Sequence, residues 1–402
     1  MSFLETFKNH SWSEWQSVIY NATEQDVQET IDRSSSHSFN LSLRDFATLL
    51  SPSALPFLET LCLKSRELTQ KRFGKTISLY APLYLSNECQ NICTYCGFSY
   101  DNRIKRKTLT DEEIIEEAKA VRALGFEHVL LVSGEASRTV GIEYFQNALK
   151  LIKPYFSQVS LEVQPLSQTE YETLIAEGLH TVLVYQETYN KENYRNYHPK
   201  GKKSNFDFRL DTPDRLGRAG IHKIGLGALL GLEDWRVDSL FTAIHLLYLR
   251  KKYWRTKFSL SFPRLRPAEG TEERYKESHM SERELVQLIA AYRLFDENLE
   301  LSLSTRESEQ FRNHAVHLGV TSMSAESKTD PGGYSVNKKN ANKKDTEGVL
   351  KQFSTSDERT AKEVMQMISQ TGYEPVWKDW DESLMFSPVK SGVKSDPYRK
   401  TA

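Results

Sequence analysis

Ile77-Ser-Leu-Tyr-Ala-Pro-Leu-Tyr-Leu85 runs directly into Ser86-Asn-Glu-Cys-Gln-Asn-Ile-Cys-Thr-Tyr-Cys-Gly-Phe-Ser99. The first run is rich in apolar and aromatic residues and reads as a β-strand. The second crowds Cys89, Cys93 and Cys96 into a loop with the spacing C-x3-C-x2-C. Shortly afterwards Thr110-Asp-Glu-Glu113 forms a capping box, opening a helix that carries Ile114, Ala118 and Val121 on one face. Strand, cysteine loop and amphipathic helix together make one β/α unit, and the rest of the chain repeats that unit.

Seven further β-rich runs follow: His128–Gly134, Val159–Pro165, Thr181–Glu187, Ile224–Gly231, Phe258–Pro267, Leu299–Arg306 and Gly319–Ser324. Helical segments separate them, among them Arg236–Tyr253 and Ser281–Leu294. Strand–helix alternation argues for an α/β fold with a parallel sheet. Eight repeats argue for a closed, TIM-like (β/α)8 barrel. A partly open six-strand barrel with the last two strands appended is the runner-up. The organisation expected is an N-terminal helical cap over 1–73, the barrel over 74–332 and a flexible insertion over 333–355. A C-terminal helical extension over 356–385 and a disordered tail over 386–402 complete it. The insertion rests on the Lys/Asn-rich run Val336-Asn-Lys-Lys-Asn-Ala-Asn-Lys-Lys-Asp345.

The 402 residues include 53 basic and 54 acidic side chains, so no global field favours nucleic acid or an anionic membrane. Apolar runs such as Ile224–Leu232 are far too short to span a bilayer. The first ten residues carry charges where a signal peptide needs its apolar core. One isolated Cys62 and one tight triplet do not make a disulfide framework, and Cys62 reads as an ordinary thiol. The expectation is a protein of the reducing cytoplasm, with no nucleic-acid or membrane partner.

The number of cysteines carries the chemistry. A 4Fe–4S cluster usually takes four thiolates, one per iron. Three close ligands leave one iron open, and an open position separates a metal site that does chemistry from one that holds a fold. A Cys3His zinc site is the competing reading, but no His lies within thirty residues of the triplet.

In a (β/α)8 barrel, functional groups sit at the C-terminal strand ends, and the cysteine loop follows the first strand. The second strand runs into Ser133-Gly134-Glu135, the third carries Glu162 and Gln164, the fourth Tyr185-Gln-Glu187, and the sixth Pro263-Arg-Leu-Arg-Pro267. Ser302, Ser304 and Arg306 alternate along the seventh, which aims all three at one face. An inward guanidinium matches a carboxylate in bidentate fashion. The alternative is a salt bridge between Arg306 and Glu307 or another acid of the rim.

The cysteine spacing, with Tyr95 just before the third thiol, resembles the signature of the radical S-adenosylmethionine (SAM) enzymes. Longer strings resemble one family within them, the 2-iminoacetate synthases (tyrosine lyases) of thiamine biosynthesis. These are Pro82–Asn87 with the cysteine loop, Val184–Tyr189, Pro213–Gly220, Leu303–Ser308 and Pro331–Tyr334. The resemblance extends from about residue 70 to Trp380.

That resemblance implies a lyase that cleaves the Cα–Cβ bond of L-tyrosine to 2-iminoacetate and 4-methylphenol while SAM is consumed. It implies a 4Fe–4S cluster on Cys89, Cys93 and Cys96, and SAM contacts from Tyr95, Phe98, Ser133, Gly134, Glu135 and Glu162. Ser133–Glu135 is similar to the Gly-Gly-Glu element of the superfamily with one glycine retained. Arg306 would hold the tyrosine carboxylate, helped by Ser304 and Ser324. Thiazole synthase would receive the imine, and reducing equivalents would come from flavodoxin and NADPH. A hydrogenase maturase that cleaves tyrosine carries a second cysteine set near its C-terminus, and biotin synthase needs further cluster ligands. This chain has no cysteine after Cys96. A deazaflavin-cofactor synthase and a zinc-stabilised binding protein are the remaining alternatives.

Two basic stretches, Arg103-Ile-Lys-Arg-Lys107 and Pro199-Lys-Gly-Lys-Lys203, read either as solvated faces or as docking ground for an acidic electron donor.

Overall fold

The computed structural model describes residues 2–34, 41–268, 271, 280–336 and 351–378. Most of the expected insertion and the whole 386–402 tail lie outside them.

Eight parallel strands close on themselves: β1 (Thr76–Ser86), β2 (His128–Ser133), β3 (Gln158–Glu162), β4 (Thr181–Leu183), β5 (Lys223–Leu226), β6 (Lys257–Ser261), β7 (Glu300–Leu303) and β8 (Ser322–Ser324). Each pairs with its neighbour in sequence, and β8 returns to β1. The barrel is therefore closed, and the open six-strand alternative is set aside. Strands such as His128-Val-Leu-Leu-Val132 are apolar on both faces because helices cover them outside while the interior takes the other side. The Thr110–Glu113 capping box opens a helix over Asp111–Ala123, whose Ile114, Ala118 and Val121 are buried against the barrel.

At the mouth β2 to β7 each stop short of their sequence-read ends. β3 ends at Glu162 instead of Pro165, β6 at Ser261 instead of Pro267, and β7 at Leu303 instead of Arg306. Proline cannot donate to a ladder, and after β7 the chain turns at once, with Glu307 N–H donating to the Ser304 carbonyl at 3.4 Å. The alternation expected for Ser304 and Arg306 thus does not exist as strand geometry.

A ninth strand, β9 (Glu374–Val376), was not legible in the sequence. It pairs in parallel with the start of β1, Thr76 opposite Glu374. It follows a helix over Ala361–Gln370, shorter than the expected extension over 356–385; its N-cap is Thr360, closed by Glu363. Trp377 then packs edge-on against Phe126 at 5.0 Å. Gly125, in the left-handed region at φ +101°, leaves room for that indole, which a Cβ would meet at 3.2 Å.

The N-terminal helices share the barrel's apolar core. Phe3 stacks on His245 at 3.6 Å and its N–H donates to Asp214 at 3.0 Å. Gln287 donates to the Leu49 and Ser51 carbonyls.

Candidate active site at the barrel mouth

β1 and β2 slip register between Tyr84 and Ser86, a bulge that turns the chain out of the sheet just before the first cysteine. The loop that follows is knitted by Arg106. Its guanidinium donates to the carbonyls of Asn87 (2.7 Å), Phe98 (2.9 Å), Ser99 (2.7 Å) and Asn102 (3.3 Å). The basic run 103–107 is therefore not a uniform solvated face: Arg106 is structural, while Arg103 and Lys105 are exposed.

Cys89 and Cys93 are buried and Cys96 is partly exposed. Cys89 and Phe98 pack with Tyr84, Leu130 and Val132 inside the mouth, and Cys93 and Tyr95 with Leu229, Leu232 and Leu265. Burial pushes the Cys89 thiol up to about 11, helped by Cys96 nearby. Cys93 is pushed higher still by burial, although Lys203 opposes it. Such thiols ionise when a metal binds them. Among the described residues no three His, Cys, Asp or Glu side chains are placed to hold a single metal ion. A zinc ion needs all its ligands around one point, whereas a 4Fe–4S cube takes each thiolate on a different iron. Three mutually interacting but unconverged thiols fit the cube better.

The end of β2 is pressed against this loop. A Cβ on Gly134 would meet the Glu88 carbonyl oxygen at 2.2 Å, so only glycine allows the approach. Ser133 Oγ is buried with no hydrogen-bond partner among the described residues. Glu135 accepts from Asn91 Nδ2 and from Arg209 Nη1, both at 2.8 Å. Arg209 also reaches Glu187 at 3.4 Å, and Lys203 donates to the same Glu187 oxygen at 2.7 Å. Burial raises both carboxyls, but Arg209 and Lys203 outweigh it and hold both below the usual range. Glu187 sits at φ +71°, uncommon for a residue with a side chain. Tyr95 Oη is 2.7 Å from His198 Nε2, and Lys203 Nζ lies 5.7 Å from the centre of the Tyr95 ring.

Lys203, Arg209 and His198 escaped the sequence reading. Lys203 was hidden in an apparently solvated basic stretch. The available signal was the string Tyr185-Gln-Glu187, whose acid needs a buried cation.

Across the mouth a cavity of ≈ 70 Å3 brings together Glu162, Ser304, Arg306 and Ser324 with Tyr185 and Phe353. Gln164 does not join them. With β3 ended, its amide turns away and donates to the Val140 carbonyl at 2.6 Å. Glu162 is pushed up to about 7 by burial, against the pull of Arg306. Ser324 Oγ accepts from the Thr305 N–H at 3.2 Å and steadies the turn that carries Arg306. Glu307 is taken by Arg264 and Arg266 (3.0 Å to the latter), not by Arg306. Arg306 makes no ion pair among the described residues. Its guanidinium carbon lies 3.4 Å from the centre of the Phe353 ring, leaving the planar group available at the cavity.

Residues 83–244 match the Radical SAM superfamily, and residues 261–374 match the Biotin and Thiamin Synthesis associated domain. The chain is 48% identical over 384 residues to the 2-iminoacetate synthase of Escherichia coli (strain K12), covering 95% of this chain and 98% of that one. The Salmonella typhimurium 2-iminoacetate synthase matches with the same identity and coverage. Among solved structures, the FeFe-hydrogenase maturase HydG from Carboxydothermus hydrogenoformans has a TM-score of 0.82 at 30% identity, covering 92% of this chain and 84% of that one. Methylornithine synthase has a TM-score of 0.67 at 21% identity, covering 87% of this chain and 97% of that one, and shares the fold.

Proposed function

Because this chain belongs to the 2-iminoacetate synthase family of the radical SAM superfamily, we infer that its barrel mouth is the site of tyrosine cleavage. The enzyme is a carbon–carbon lyase that converts L-tyrosine to 2-iminoacetate and 4-methylphenol, and the imine serves thiamine biosynthesis. The observation that carries the residue assignment is the placement of Arg306, without an ion pair among the described residues, in one cavity with Glu162 at the mouth that also bears the three thiols.

In this reading Cys89, Cys93 and Cys96 hold a 4Fe–4S cluster. When bound, the cluster and SAM supply a 5′-deoxyadenosyl radical. Tyr95, Phe98, Ser133, Gly134, Glu135 and Glu162 line the SAM side. Ser133 offers an unpartnered hydroxyl there. Glu135 is fixed by Arg209 and Asn91, so it acts from a rigid position. Arg306 orients the substrate through its carboxylate, and Ser304 and Ser324 set the turn that aims it. A primary carbon radical attacks indiscriminately, so fixing the substrate and excluding water are the protein's main tasks.

Arg306→Ala tests the assignment. The variant is expected to retain iron, sulfide and SAM binding and to lose 4-methylphenol formation by at least ~100-fold. A normal rate would remove Arg306 from the site.

For partners, we propose an acidic flavodoxin-type donor, reduced at the expense of NADPH, and thiazole synthase as acceptor of the imine, all in the cytoplasm. Exposed Arg103 and Lys105 beside exposed Tyr100 support a docking face next to the cysteine loop. Lys105→Glu should slow turnover driven by flavodoxin but not by dithionite; equal slowing would count against docking.

A further inference from the structure

A (β/α)8 barrel ordinarily fills its interior with layers of branched apolar side chains. Here the N-terminal half of the interior is hollow and polar. A cavity of ≈ 260 Å3 lies there, larger than the ≈ 70 Å3 at the mouth. Ser78, Gln158, Ser160, Lys223, Ser259 and Glu300 line it from five different strands. Valine or leucine at those positions would stabilise the barrel, whereas buried hydroxyls and amides cost free energy unless something bonds them.

The two cavities share Tyr80, Leu130, Ser261 and Ser302. At their junction Tyr80 Oη and Ser302 Oγ are hydrogen-bonded at 3.1 Å. At the other end Lys257, the first residue of β6, both lines the chamber and is exposed.

The chamber's chemistry selects its guest. Lys223 pairs with Glu300 at 2.6 Å, and Lys257 adds a second cation. Gln158 is 3% exposed; its Nε2 is held 3.2 Å from His180 Nδ1, and its Oε1 has no hydrogen-bond partner among the described residues. Cations suit a carboxylate, and an unmet amide oxygen suits an N–H donor. A small molecule bearing both fits; the apolar ring of 4-methylphenol does not.

We propose that this lower chamber receives 2-iminoacetate. Its carboxylate lies toward Lys257 and Lys223 and its nitrogen toward Gln158, and the product leaves by the face opposite the cysteine loop. The proposal rests on the lyase reading. It gives the imine, which water converts to glyoxylate and ammonia, a sheltered route away from the site where it forms.

The test is a single turnover of the reconstituted holoenzyme with tyrosine, SAM and dithionite. The mixture is parted by ultrafiltration and both fractions are treated with borodeuteride, which reduces the imine to deuterated glycine and glyoxylate from hydrolysed imine to deuterated glycolate. In wild type, most trapped glycine should sit in the protein fraction after 4-methylphenol has formed. Ser259→Leu, which fills the chamber, should form 4-methylphenol at the wild-type rate in that turnover while moving the trapped product to the filtrate, as deuterated glycine plus the glycolate that marks hydrolysed imine. Exposed Lys257→Glu, where folding is not at risk, should lower the retained share at least about fivefold by reversing the charge that holds the carboxylate. Retention unchanged in Lys257→Glu, or no retention in a wild type that has made 4-methylphenol, would overturn the proposal. A wild type that makes no 4-methylphenol would overturn the lyase reading and the proposal with it.

Discussion

Lys203 Nζ lies 2.7 Å from Glu187 Oε1 beside the cysteine loop, with Glu187 buried and Lys203 nearly so. Burial alone would lower the lysine's pKa, but Glu187 outweighs it and keeps the ammonium charged. A fixed positive charge next to Cys93 stabilises electron density on whatever the thiolates hold.

Lys203→Met therefore should make the cluster harder to reduce. It removes a cation and leaves Glu187 with only its longer contact to Arg209 at 3.4 Å, and both act in one direction. The expected shift is on the order of 100 mV to more negative potential, the effect of a unit charge a few ångström away at an effective dielectric near 20. A redox titration followed by electron paramagnetic resonance reads it. An unchanged potential would mean that Lys203 only packs the loop.

Glu162 titrates near neutrality, raised to about 7 by burial against Arg306. Its folded pKa lies above the unfolded value of 4.5. Between those values the folded protein holds a proton that the unfolded chain has released. The group's contribution to stability therefore falls as pH rises through that window. In the proposed site, ionised Glu162 would attract the cationic groups of SAM, so SAM affinity should rise several-fold between pH 6 and pH 8. Glu162→Gln should flatten that rise. Equilibrium dialysis of SAM across the pH range checks it, and a profile unchanged in the variant would count against a direct contact.

The C-terminal segment is joined to the site by charge. Arg312 and Asp357 form a fully buried pair, and Arg312 also donates to the Ser324 carbonyl. Burial raises the Asp357 carboxyl, but Arg359 and Arg312 outweigh it. Asp357→Ala would strand Arg312 without a counter-ion, at a cost of about 3–5 kcal/mol in urea unfolding. Arg359→Ala keeps the buried pair and should cost less. Equal costs would contradict the central place of Arg312.

Legibility divided along physical lines. Strand existence was readable because parallel strands carry apolar runs long enough to stand out, as in His128–Val132. Strand ends at the mouth were not, because Arg306 and Gln164 continue a period-2 pattern after the hydrogen-bond ladder has stopped. Arg306 still reaches the cavity, carried by a turn that Ser324 holds instead of by strand alternation. β9 was hidden because three residues carry no periodicity. Lys203 was misread because a charge run says nothing about which of its members meets a buried acid, and Arg106 for the same reason.

The central claim is that this mouth, with its three thiols and Arg306, cleaves tyrosine. The most direct test is anaerobic incubation of the reconstituted protein with SAM, dithionite and, separately, tyrosine, phenylalanine and tryptophan, measuring 5′-deoxyadenosine and 4-methylphenol. The account predicts both products together with tyrosine and no carbon–carbon cleavage with the other two. 5′-Deoxyadenosine without any 4-methylphenol from tyrosine would contradict it.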